Sequence, residues 1–339
     1  MQLFTEILLF VIGLVLLIFG GDWFVDGASK IAHRFHMPEI LIGATVVSIG
    51  TTIPEVMVSA GGALAGGDGG SAIAYGNAIG SIICNTSLVA AITMTFNPSI
   101  VPRKSIIKPI LCFFAAAAFY VGIAYTTGYF SRTTGIILLL GFLTYMTLCV
   151  LDAKKEMKAG ATQDAEAPKE TTEQPKRFLG IRRDTIAFEI GMLVVGAAIV
   201  AVGADLLVDN GTLIAEALGV PHTVIALTFV ALGTSLPELV TAITSLVKGH
   251  SDLSMGNIIG ANLFNLVLVS GVATTIAPFK VPCEKLFMGY NASFVIEIPV
   301  MLAVMLLMCI PALSKGRVYR WQGITLLLIY AAFCAFQFI

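Results

Sequence analysis

Two glutamates stand inside long apolar stretches of this 339-residue chain. Glu55 ends the sequence Gly-Thr-Thr-Ile-Pro-Glu, and Glu238 ends the sequence Gly-Thr-Ser-Leu-Pro-Glu. In a helix, Thr51 lies one turn before Glu55 and Thr234 one turn before Glu238, so hydroxyl and carboxylate share a face. Oxygen atoms grouped in this way can hold a cation or a proton.

The prolines of these motifs, Pro54 and Pro237, add a second type of oxygen. Proline lacks a backbone N–H and its ring clashes with the carbonyl four residues earlier, so the carbonyls of Gly50 and Gly233 are released from the helical ladder. In lipid, such irregular backbone is tolerated only where it packs in protein or lines a polar cavity. A single proline near a threonine predicts no more than a kink, but two copies with a glutamate in each indicate a binding site.

The two carboxylates need counter-charge. An isolated carboxylate at the bilayer centre costs at least ~2.5 kcal/mol, and neither motif helix contains a lysine or arginine. Protons or metal cations are therefore the available partners. Ligands that are all oxygen select hard ions such as Ca²⁺ and Na⁺ over zinc or copper. The histidines, which softer metals prefer, all lie in or next to loops: they are His33, His36, His222 and His250.

The motif Gly-Asn-x-x-Gly follows each proline–glutamate motif. Polar positions four residues apart form one stripe on each of these helices, which carries amide and hydroxyl oxygens toward the glutamates. The glycine pairs permit close helix packing, which is by itself a sufficient reason for them, and the first asparagine of each stripe can equally cap a neighbouring helix end. The stripes are Asn77, Ser81 and Asn85, and Asn257, Ala261 and Asn265.

The composition predicts a membrane protein, because a mean hydropathy of +0.91 with 57% apolar and 12% charged residues does not suit a soluble surface. A net charge of −1 gives no indication of a nucleic-acid partner. Apolar blocks close to the ~20 residues that cross a bilayer recur along the chain. The predicted spans are 4–28, 39–64, 71–95, 107–126, 133–151, 184–212, 222–247, 252–276, 296–312 and 321–338. Six cysteines, among them Cys84, lie in the apolar stretches without paired spacing, which indicates packed thiols rather than disulfides.

An internal repeat relates the two halves of the chain. Residues 22–55 align without gaps on residues 205–238, a constant shift of 183, and the identities fall on Asp, Gly, Thr, Pro and Glu. After a three-residue deletion, residues 76–81 match residues 256–261. Because five spans precede the second copy, it enters the membrane from the opposite side, an architecture that places a substrate site at the midplane between the halves.

The positive residues orient the spans, since cytoplasmic loops are enriched in them. With both termini outside, seventeen of the 20 lysines and arginines fall in inside loops, and only Arg132, Lys280 and Lys285 fall outside. Residues 152–183 are polar and without apolar periodicity, which predicts a flexible cytoplasmic linker. We therefore expect an all-α polytopic membrane protein of ten transmembrane helices in a 5+5 inverted repeat, N-out and C-out. The first half is 1–151, the linker 152–183 and the second half 184–339.

Five more acidic residues lie near the ends of predicted spans. Glu297 is followed by Pro299, which suits the first turn of a helix, and a carboxylate there favours the helix dipole. We therefore expect a helix to begin near Glu297, at the membrane interface. The four aspartates are better explained by helix capping or loop anchoring than by ion binding; they are Asp22, Asp26, Asp205 and Asp209.

The paired motifs Gly-Thr-(Thr/Ser)-x-Pro-Glu and Gly-Asn-x-x-Gly-(Ser/Ala) resemble the α-repeats of the cation/calcium exchanger superfamily, in its sodium/calcium exchanger branch. The resemblance covers both repeats and the ten-span layout, but not the loops or the linker. It implies the sodium/calcium exchanger fold, with one Ca²⁺ site and neighbouring Na⁺ sites at the midplane that are occupied alternately. It implies no cofactor beside these transported ions.

The resemblance also implies roles for individual residues. Glu55 and Glu238 would be ligands shared by Ca²⁺ and Na⁺, with Thr51, Thr234 and the backbone carbonyls near Ser48 and Ala231 completing the coordination. Further side-chain ligands would be Thr52, Ser235, Ser81, Asn85 and Asn265. The site would be shaped by Gly50, Gly233, Pro54, Pro237, Asn77 and Asn257.

Two residues depart from the pattern of the family. Many prokaryotic and potassium-dependent members carry aspartate where this chain has Asn265, so we do not expect potassium coupling. Ala261 stands where the first repeat keeps Ser81, so one oxygen of an expected Na⁺ site is missing. The ion ratio therefore stays open.

We predict a secondary antiporter of the inner (plasma) membrane that exports Ca²⁺ in exchange for Na⁺, acts as a monomer in the lipid bilayer, and alternates access by sliding of the long first and sixth spans. A Ca²⁺/H⁺ exchanger is the alternative, although its relatives usually carry Gly-Asn-x-x-Glu. A membrane-embedded enzyme such as a lipid-pyrophosphate phosphatase would need arginines at the site, and the repeat helices have none. A passive channel is disfavoured because two carboxylates bind ions too tightly for rapid conduction.

Overall fold

The computed structural model describes residues 2–164, 177–178, 181–182, 185–217, 233–283 and 285–337. Within these residues the chain forms ten helices. The first five are α1 (Gln2–Arg34), α2 (Glu39–Ala65), α3 (Gly67–Cys84 continued by Asn85–Ala90 and Ala91–Phe96), α4 (Arg103–Thr127) and α5 (Arg132–Asp164). The second five are α6 (Ile186–Ala217), α7 (Leu236–Val247), α8 (Ser251–Ile276), α9 (Ser293–Lys315) and α10 (Arg320–Gln337).

The helices coincide with the predicted spans, with differences at the boundaries. Eight of those in the described residues are long and apolar enough to cross a bilayer, and α7 and α10 fall outside this set. The first part of the predicted seventh span, residues 222–232, lies outside the described residues. Helix α5 continues past the expected end at residue 151 to Asp164, so the first part of the predicted linker is helical. Most of the remainder of that linker lies outside the described residues.

Helix α2 buries polar side chains and exposes apolar ones, as a helix inside a membrane does. Its buried positions include the polar side chains Ser48, Thr51 and Glu55, whereas Met57 is 68% and Leu64 75% exposed. A helix of a soluble protein has the opposite arrangement, with its apolar stripe facing the core. Apolar side chains that face outward need lipid, and polar side chains that face inward indicate a site inside the bundle.

Helices α1 and α6 pack against each other along their length through glycines. An added Cβ at Gly20 would lie 2.8 Å from the backbone nitrogen of Val200, and one at Gly203 would lie 2.9 Å from that of Leu17. Gly13, Gly27 and Gly196 are equally close to the facing backbone. Small residues at seven-residue spacing let the two backbones approach. We call α1 and α6 the long pair.

The two halves also join through α2 and α8. An added Cβ at Gly43 would strike the backbone of Leu253 and Gly256, and one at Gly256 or Gly260 would strike the backbone of α2. The predicted close packing of the second Gly-xxx-Gly pair is therefore confirmed. A short antiparallel pairing of β1 (Tyr129–Phe130) with β4 (Phe279–Lys280) connects the halves at another point.

Four further two-residue strands form two local pairs. Strand β2 (Arg177–Phe178) pairs with β3 (Ile181–Arg182), and β5 (Leu286–Phe287) with β6 (Tyr290–Asn291). Just after the second pair, a π-helical turn at Ser293–Glu297 opens α9, whose regular α-helix begins at Ile298 with proline in its first turn. The predicted helix start near Glu297 is therefore confirmed. All six cysteines are free, and Cys84 is buried.

The basic loops meet at one end of the bundle. The guanidinium of Arg34, at the end of α1, pairs with both carboxylate oxygens of Glu189 in α6, at 2.6 and 2.7 Å. Lys108 of α4 pairs with Asp152 of α5, and the amide of Val101 donates to the carbonyl of Gly316. We call this the basic end, and the other the opposite end.

Candidate functional site

The carboxyl groups of Glu55 and Glu238 lie together in the interior. Both side chains are fully buried, and they are close enough for their charges to act on each other. None of their four oxygens has a hydrogen-bond partner among the described residues. Like charges in a medium of low polarity repel strongly, so this arrangement needs a positive ligand or protons to be stable.

Four buried polar side chains on neighbouring helices share this lack of partners. The hydroxyls of Thr52 in α2 and Ser235 before α7 make no hydrogen bond among the described residues, and neither do the side-chain amides of Asn85 in α3 and Asn265 in α8. A buried polar group without a partner costs ~1–3 kcal/mol, so a concentration of them is unusual in a folded protein. All four were predicted as ligands from the sequence.

The two threonines of the motifs form hydrogen bonds between the halves of the chain. The hydroxyl of Thr51 in α2 donates to Oδ1 of Asn257 in α8 at 3.3 Å. That of Thr234, before α7, donates to Oδ1 of Asn77 in α3 at 3.4 Å. Residues that the 183-residue repeat relates thus make equivalent contacts, so the site has approximate two-fold symmetry. Thr51 also lies near the carboxyl group of Glu238, which belongs to the other half.

The first asparagine of each stripe binds helix backbone and hydroxyls. Nδ2 of Asn77 donates to the carbonyl of Glu55 at 3.0 Å and to the hydroxyl of Ser59 at 2.8 Å. The hydroxyl of Ser48 donates to the carbonyl of Gly43 at 2.8 Å and to that of Asn257 at 2.9 Å. These bonds fix α2 against α3 and α8. Asn77 thus binds the interior of α2, not a helix end as the capping alternative expected, whereas Nδ2 of Asn257 has no partner among the described residues.

The prolines act differently in the two halves. Helix α2 continues through Pro54 without a break, whereas Thr234 and Ser235 form a turn and α7 begins only at Leu236, with Pro237 in its first turn. Irregular backbone at the proline motif is therefore present in the second half, whereas in the first half the helix runs through the proline. The helix instead widens seven to eleven residues before Pro54, in the π-helical turn Gly43–Val47.

Both asparagine stripes end in a π-helical turn. It covers Asn85–Ala90 in α3 and Asn265–Val269 in α8. Such turns are rare and frequently occur at functional sites. Each begins at a predicted ligand, which the periodicity of the sequence did not reveal.

The remaining predicted residues divide as follows. Ser81 and its repeat mate Ala261 are both buried in the stripes that carry Asn85 and Asn265. Ala231, whose carbonyl was expected to bind an ion, lies outside the described residues. Gly50 packs against Phe24 of α1 and Gly233 against Val208 of α6, so both motif glycines touch the long pair.

Several polar residues near the site were missed. Thr241 and Ser245 follow Glu238 by three and seven residues, are fully buried, and have hydroxyls without a partner among the described residues. The helical spacing from Glu238 could have revealed them. Nδ2 of Asn262 donates to the hydroxyl of Thr86 at 2.8 Å, a link between α8 and α3 that no repeated pattern marks.

A cavity of about 150 Å³ reaches the two motifs from the opposite end. Pro54, Thr234 and Pro237 form its inner wall, and the exposed side chains of Asp205 and Asp209 in α6 line it further out. Asp205 and Asp209 form no ion pair among the described residues. The loop after α6, which the predicted capping or anchoring role of this pair concerns, lies outside the described residues. The cavity offers cations a negatively charged approach.

Known proteins similar to this chain are transporters or membrane proteins. The family model described as sodium/calcium exchanger protein matches residues 5–151 and 188–339. An uncharacterized membrane protein of Methanocaldococcus jannaschii is 34% identical over 323 residues, 95% of this chain and 94% of the relative. Sodium/calcium exchanger MaX1 of Methanosarcina acetivorans is 29% identical over 98% of this chain and 99% of its own length.

Solved structures give the same match. The sodium-calcium exchanger NCX_Mj soaked with 10 mM Na⁺ and 10 mM Sr²⁺ superposes with a TM-score of 0.76 at 31% identity, over 97% of both chains. The same exchanger soaked with 2.5 mM Na⁺ and 0.1 mM Ca²⁺ superposes with a TM-score of 0.74, over 98% of both chains. The matches extend over nearly the full length of the chain, so they include both motif pairs and the helices between them.

Proposed function

Because the chain belongs to the sodium/calcium exchanger family, we propose that it is an antiporter that exports Ca²⁺ against inward flux of Na⁺. Family membership and multiple apolar helices make it a multi-pass inner-membrane protein that exchanges cations including calcium. The coupling to Na⁺ rather than protons, the ion-binding residues and the topology are parts of the proposal.

The observation that carries the proposal is the pair of fully buried carboxylates without a hydrogen-bond partner among the described residues, surrounded by unpartnered hydroxyl and amide oxygens. Two negative charges are balanced by one Ca²⁺ or by Na⁺ ions. Ca²⁺ takes six to eight oxygen ligands, and a flexible set of carboxylates, hydroxyls, amides and carbonyls can supply them. Because either ion can fill the same acidic site, the fluxes of Ca²⁺ and Na⁺ are coupled without a separate coupling element.

The proposed ligands come in repeat-related pairs on four helices. Helix α2 and the start of α7 contribute the carboxylates and hydroxyls, and α3 and α8 contribute the amides. The side-chain ligands are Glu55, Glu238, Thr51, Thr234, Thr52, Ser235, Ser81, Asn85 and Asn265, and the backbone carbonyls are those of Ser48 and Ala231. The protein needs no cofactor and functions as a monomer.

Access alternates between the two ends of the bundle by movement of the long pair, α1 and α6, across the four site helices. The glycine contacts between α1 and α6 favour their movement as one body. We infer ten spans in a 5+5 inverted repeat, N-out and C-out, which puts the basic end in the cytoplasm. In that orientation the cavity beside Asp205 and Asp209 opens outward.

The proposal is tested in proteoliposomes that contain the purified protein. Vesicles loaded with Na⁺ and diluted into Na⁺-free medium with ⁴⁵Ca²⁺ should accumulate the label, and collapse of the Na⁺ gradient should stop uptake. The variants Glu55→Gln and Glu238→Gln should each abolish uptake. Glu297→Gln is the matched control, because it removes a carboxylate of α9 outside the site, and it should retain uptake.

A second arm of the experiment distinguishes the coupling ion. Uptake that is indifferent to the Na⁺ gradient but follows an imposed pH gradient would identify a Ca²⁺/H⁺ exchanger and overturn Na⁺ coupling. Full uptake by both glutamine variants would remove the two glutamates from the site.

A further inference from the structure

The ammonium group of Lys248, in the turn between α7 and α8, is held by three acceptors of α1. Its Nζ lies 2.6 Å from Oδ1 of Asp22, 2.5 Å from Oδ1 of Asp26 and 3.1 Å from the carbonyl of Asp22. An ammonium has three N–H donors, so each of them has a partner. Partial burial lowers the pKa of Lys248, but the hydrogen bonds and charges of Asp22 and Asp26 raise it by more, so the net pKa is raised and the group stays charged.

This contact adds ion pairs to the apolar side chains through which α1 already packs against α2 and α8. Glycine packing and the Arg34–Glu189 pair hold α1 to α6. Among the described residues, every ion pair between this long pair and the other helices lies at the basic end. These pairs are Lys248 with Asp22 and with Asp26, and His33 with Glu39.

The charged groups of α2 and α8 nearest to Lys248 belong to a separate network. Glu39, at the start of α2, accepts from Ser29 at 2.9 Å and lies 2.8 Å from Nδ1 of His250. Asp252 of α8 is close enough for its charge to act on Glu39. None of these groups pairs with Lys248 among the described residues, so Asp22 and Asp26 are its specific partners.

The inverted repeat makes this contact asymmetric. Asp205 and Asp209 are the repeat mates of Asp22 and Asp26, and at the same shift of 183 residues Lys248 falls on Ala65. Among the described residues, no cationic side chain pairs with Asp205 or Asp209, which line the open cavity, whereas Lys248 balances one of the two charges of Asp22 and Asp26. The two aspartate pairs thus differ in their contact with a lysine.

We propose that Lys248 is a tethered cation that latches the long pair to the turn between α7 and α8 and so holds the basic end of the transport path closed. This role rests on the proposed exchange function. For the basic end to open, α1 must move and the ammonium must leave Asp22 and Asp26. The latch biases the resting protein toward the state in which the cavity at the opposite end is open.

The latch is tested with Lys248→Met, with Lys248→Arg as the conservative rescue and Lys108→Met as the matched control. Lys108 pairs with Asp152 at the same end, but this pair joins α4 to α5 and does not touch the long pair. In right-side-out and inside-out vesicles, Lys248→Met should lower the half-saturating Ca²⁺ concentration at the basic end and raise it at the opposite end, each by about fivefold to tenfold. Lys248→Arg should resemble the wild type.

Two further measurements separate a latch from a merely structural contact. The double variant Asp22→Asn/Asp26→Asn should change the half-saturating Ca²⁺ concentrations at the two ends as Lys248→Met does. Adding Lys248→Met to the double variant should change these concentrations no further. Hydrogen exchange should rise in peptides covering the end of α1 and the α7–α8 turn, and not after Lys108→Met. An equal change of the half-saturating Ca²⁺ concentration at both ends would overturn the latch. The same change in Lys108→Met as in Lys248→Met would also overturn it.

The outcomes distinguish the latch from the proposed function. If the wild type shows no Na⁺-driven Ca²⁺ uptake, the exchange function fails, while the hydrogen-exchange result still reports on the contact between α1 and the turn. If exchange is normal in every variant and the half-saturating Ca²⁺ concentrations at the two ends remain unchanged, the latch fails and the exchange function stands.

Discussion

The two halves of the molecule are alike at the site and different at their ends. At the site, Thr51 contacts Asn257 and Thr234 contacts Asn77 in equivalent geometry, and each half contributes one fully buried glutamate. At the ends, one aspartate pair is bound to Lys248 while its repeat mates line an open cavity. Repeat symmetry is thus kept at the buried carboxylates and lost at the two ends of the bundle.

This difference has a physical reason. An ion at the midplane is approached equally from both halves, so duplicated ligands serve it well. A transporter whose halves were identical throughout would give its inward-open and outward-open states similar free energies. A single charged side chain present in one half is sufficient to favour one of the states by a differential interaction.

The largest effect is expected from substitution of either glutamate, which should weaken Ca²⁺ binding. Glu55→Gln and Glu238→Gln should each weaken Ca²⁺ binding by at least about 100-fold, equivalent to ~2.7 kcal/mol, because each removes one of the two charges that balance the ion. The ion-free variants should also unfold at higher temperature than the wild type, because the repulsion between buried carboxylates is relieved. Isothermal titration and thermal melts in detergent measure the two effects.

Equal losses of Ca²⁺ affinity in Glu55→Gln and Glu238→Gln would support one ion shared by the two glutamates. A loss confined to one of them would show that the halves do not contribute equally to Ca²⁺ binding. Glu297→Gln serves again as the control, and its Ca²⁺ affinity should match that of the wild type.

The next largest effect concerns the prolines. Pro54 lies in the interior of α2, where proline costs ~3 kcal/mol relative to alanine, whereas Pro237 lies in the first turn of α7, where its missing N–H costs little. Pro54→Ala should therefore raise the free energy of unfolding by about 1–3 kcal/mol, and Pro237→Ala should change it little. Equilibrium unfolding in mixed micelles compares them, and equal effects would contradict the difference in helix geometry.

The smallest effect concerns one hydroxyl group. Ala261→Ser restores the oxygen that the first half has in Ser81, and one hydrogen-bond-strength contact is worth ~0.5–1.5 kcal/mol. The Na⁺ concentration that half-inhibits Ca²⁺ binding should therefore fall by about twofold to tenfold, and Ser81→Ala should raise it. Titrations of Na⁺ at fixed Ca²⁺ measure this, and an unchanged value in both variants would place Na⁺ elsewhere.

Much of the site followed from the sequence because the repeat marks it. The glutamates, both threonines and both asparagine stripes recur at fixed spacing, and each lies in α2, α3 or α8 or at the start of α7. All of them except Asn77 and Thr234 are buried. Residues without a repeat mate of similar chemistry were missed. Thr241 has Val58 at the shift of 183, so its buried hydroxyl left no duplicated signal.

Other features depend on contacts between residues far apart in the chain. Two proline motifs of the same pattern gave an unbroken helix in α2 and a helix start in α7, since local sequence does not determine how neighbouring helices hold a proline. The pairing of Lys248 with Asp22 joins residues 226 apart. A single lysine in a short loop predicts orientation, but not which carboxylates it will bind.

The sequence by itself determined that this is a membrane protein with a duplicated acidic motif, because hydropathy, repeat spacing and the absence of lysine and arginine from the motif helices are local properties of the chain. Only the tertiary structure decided that the two carboxylates meet, and that one aspartate pair binds a lysine while its repeat mate lines an open cavity. Burial and ion pairing depend on distance in space, and an inverted repeat places residues of equal sequence pattern in unequal surroundings at its two ends.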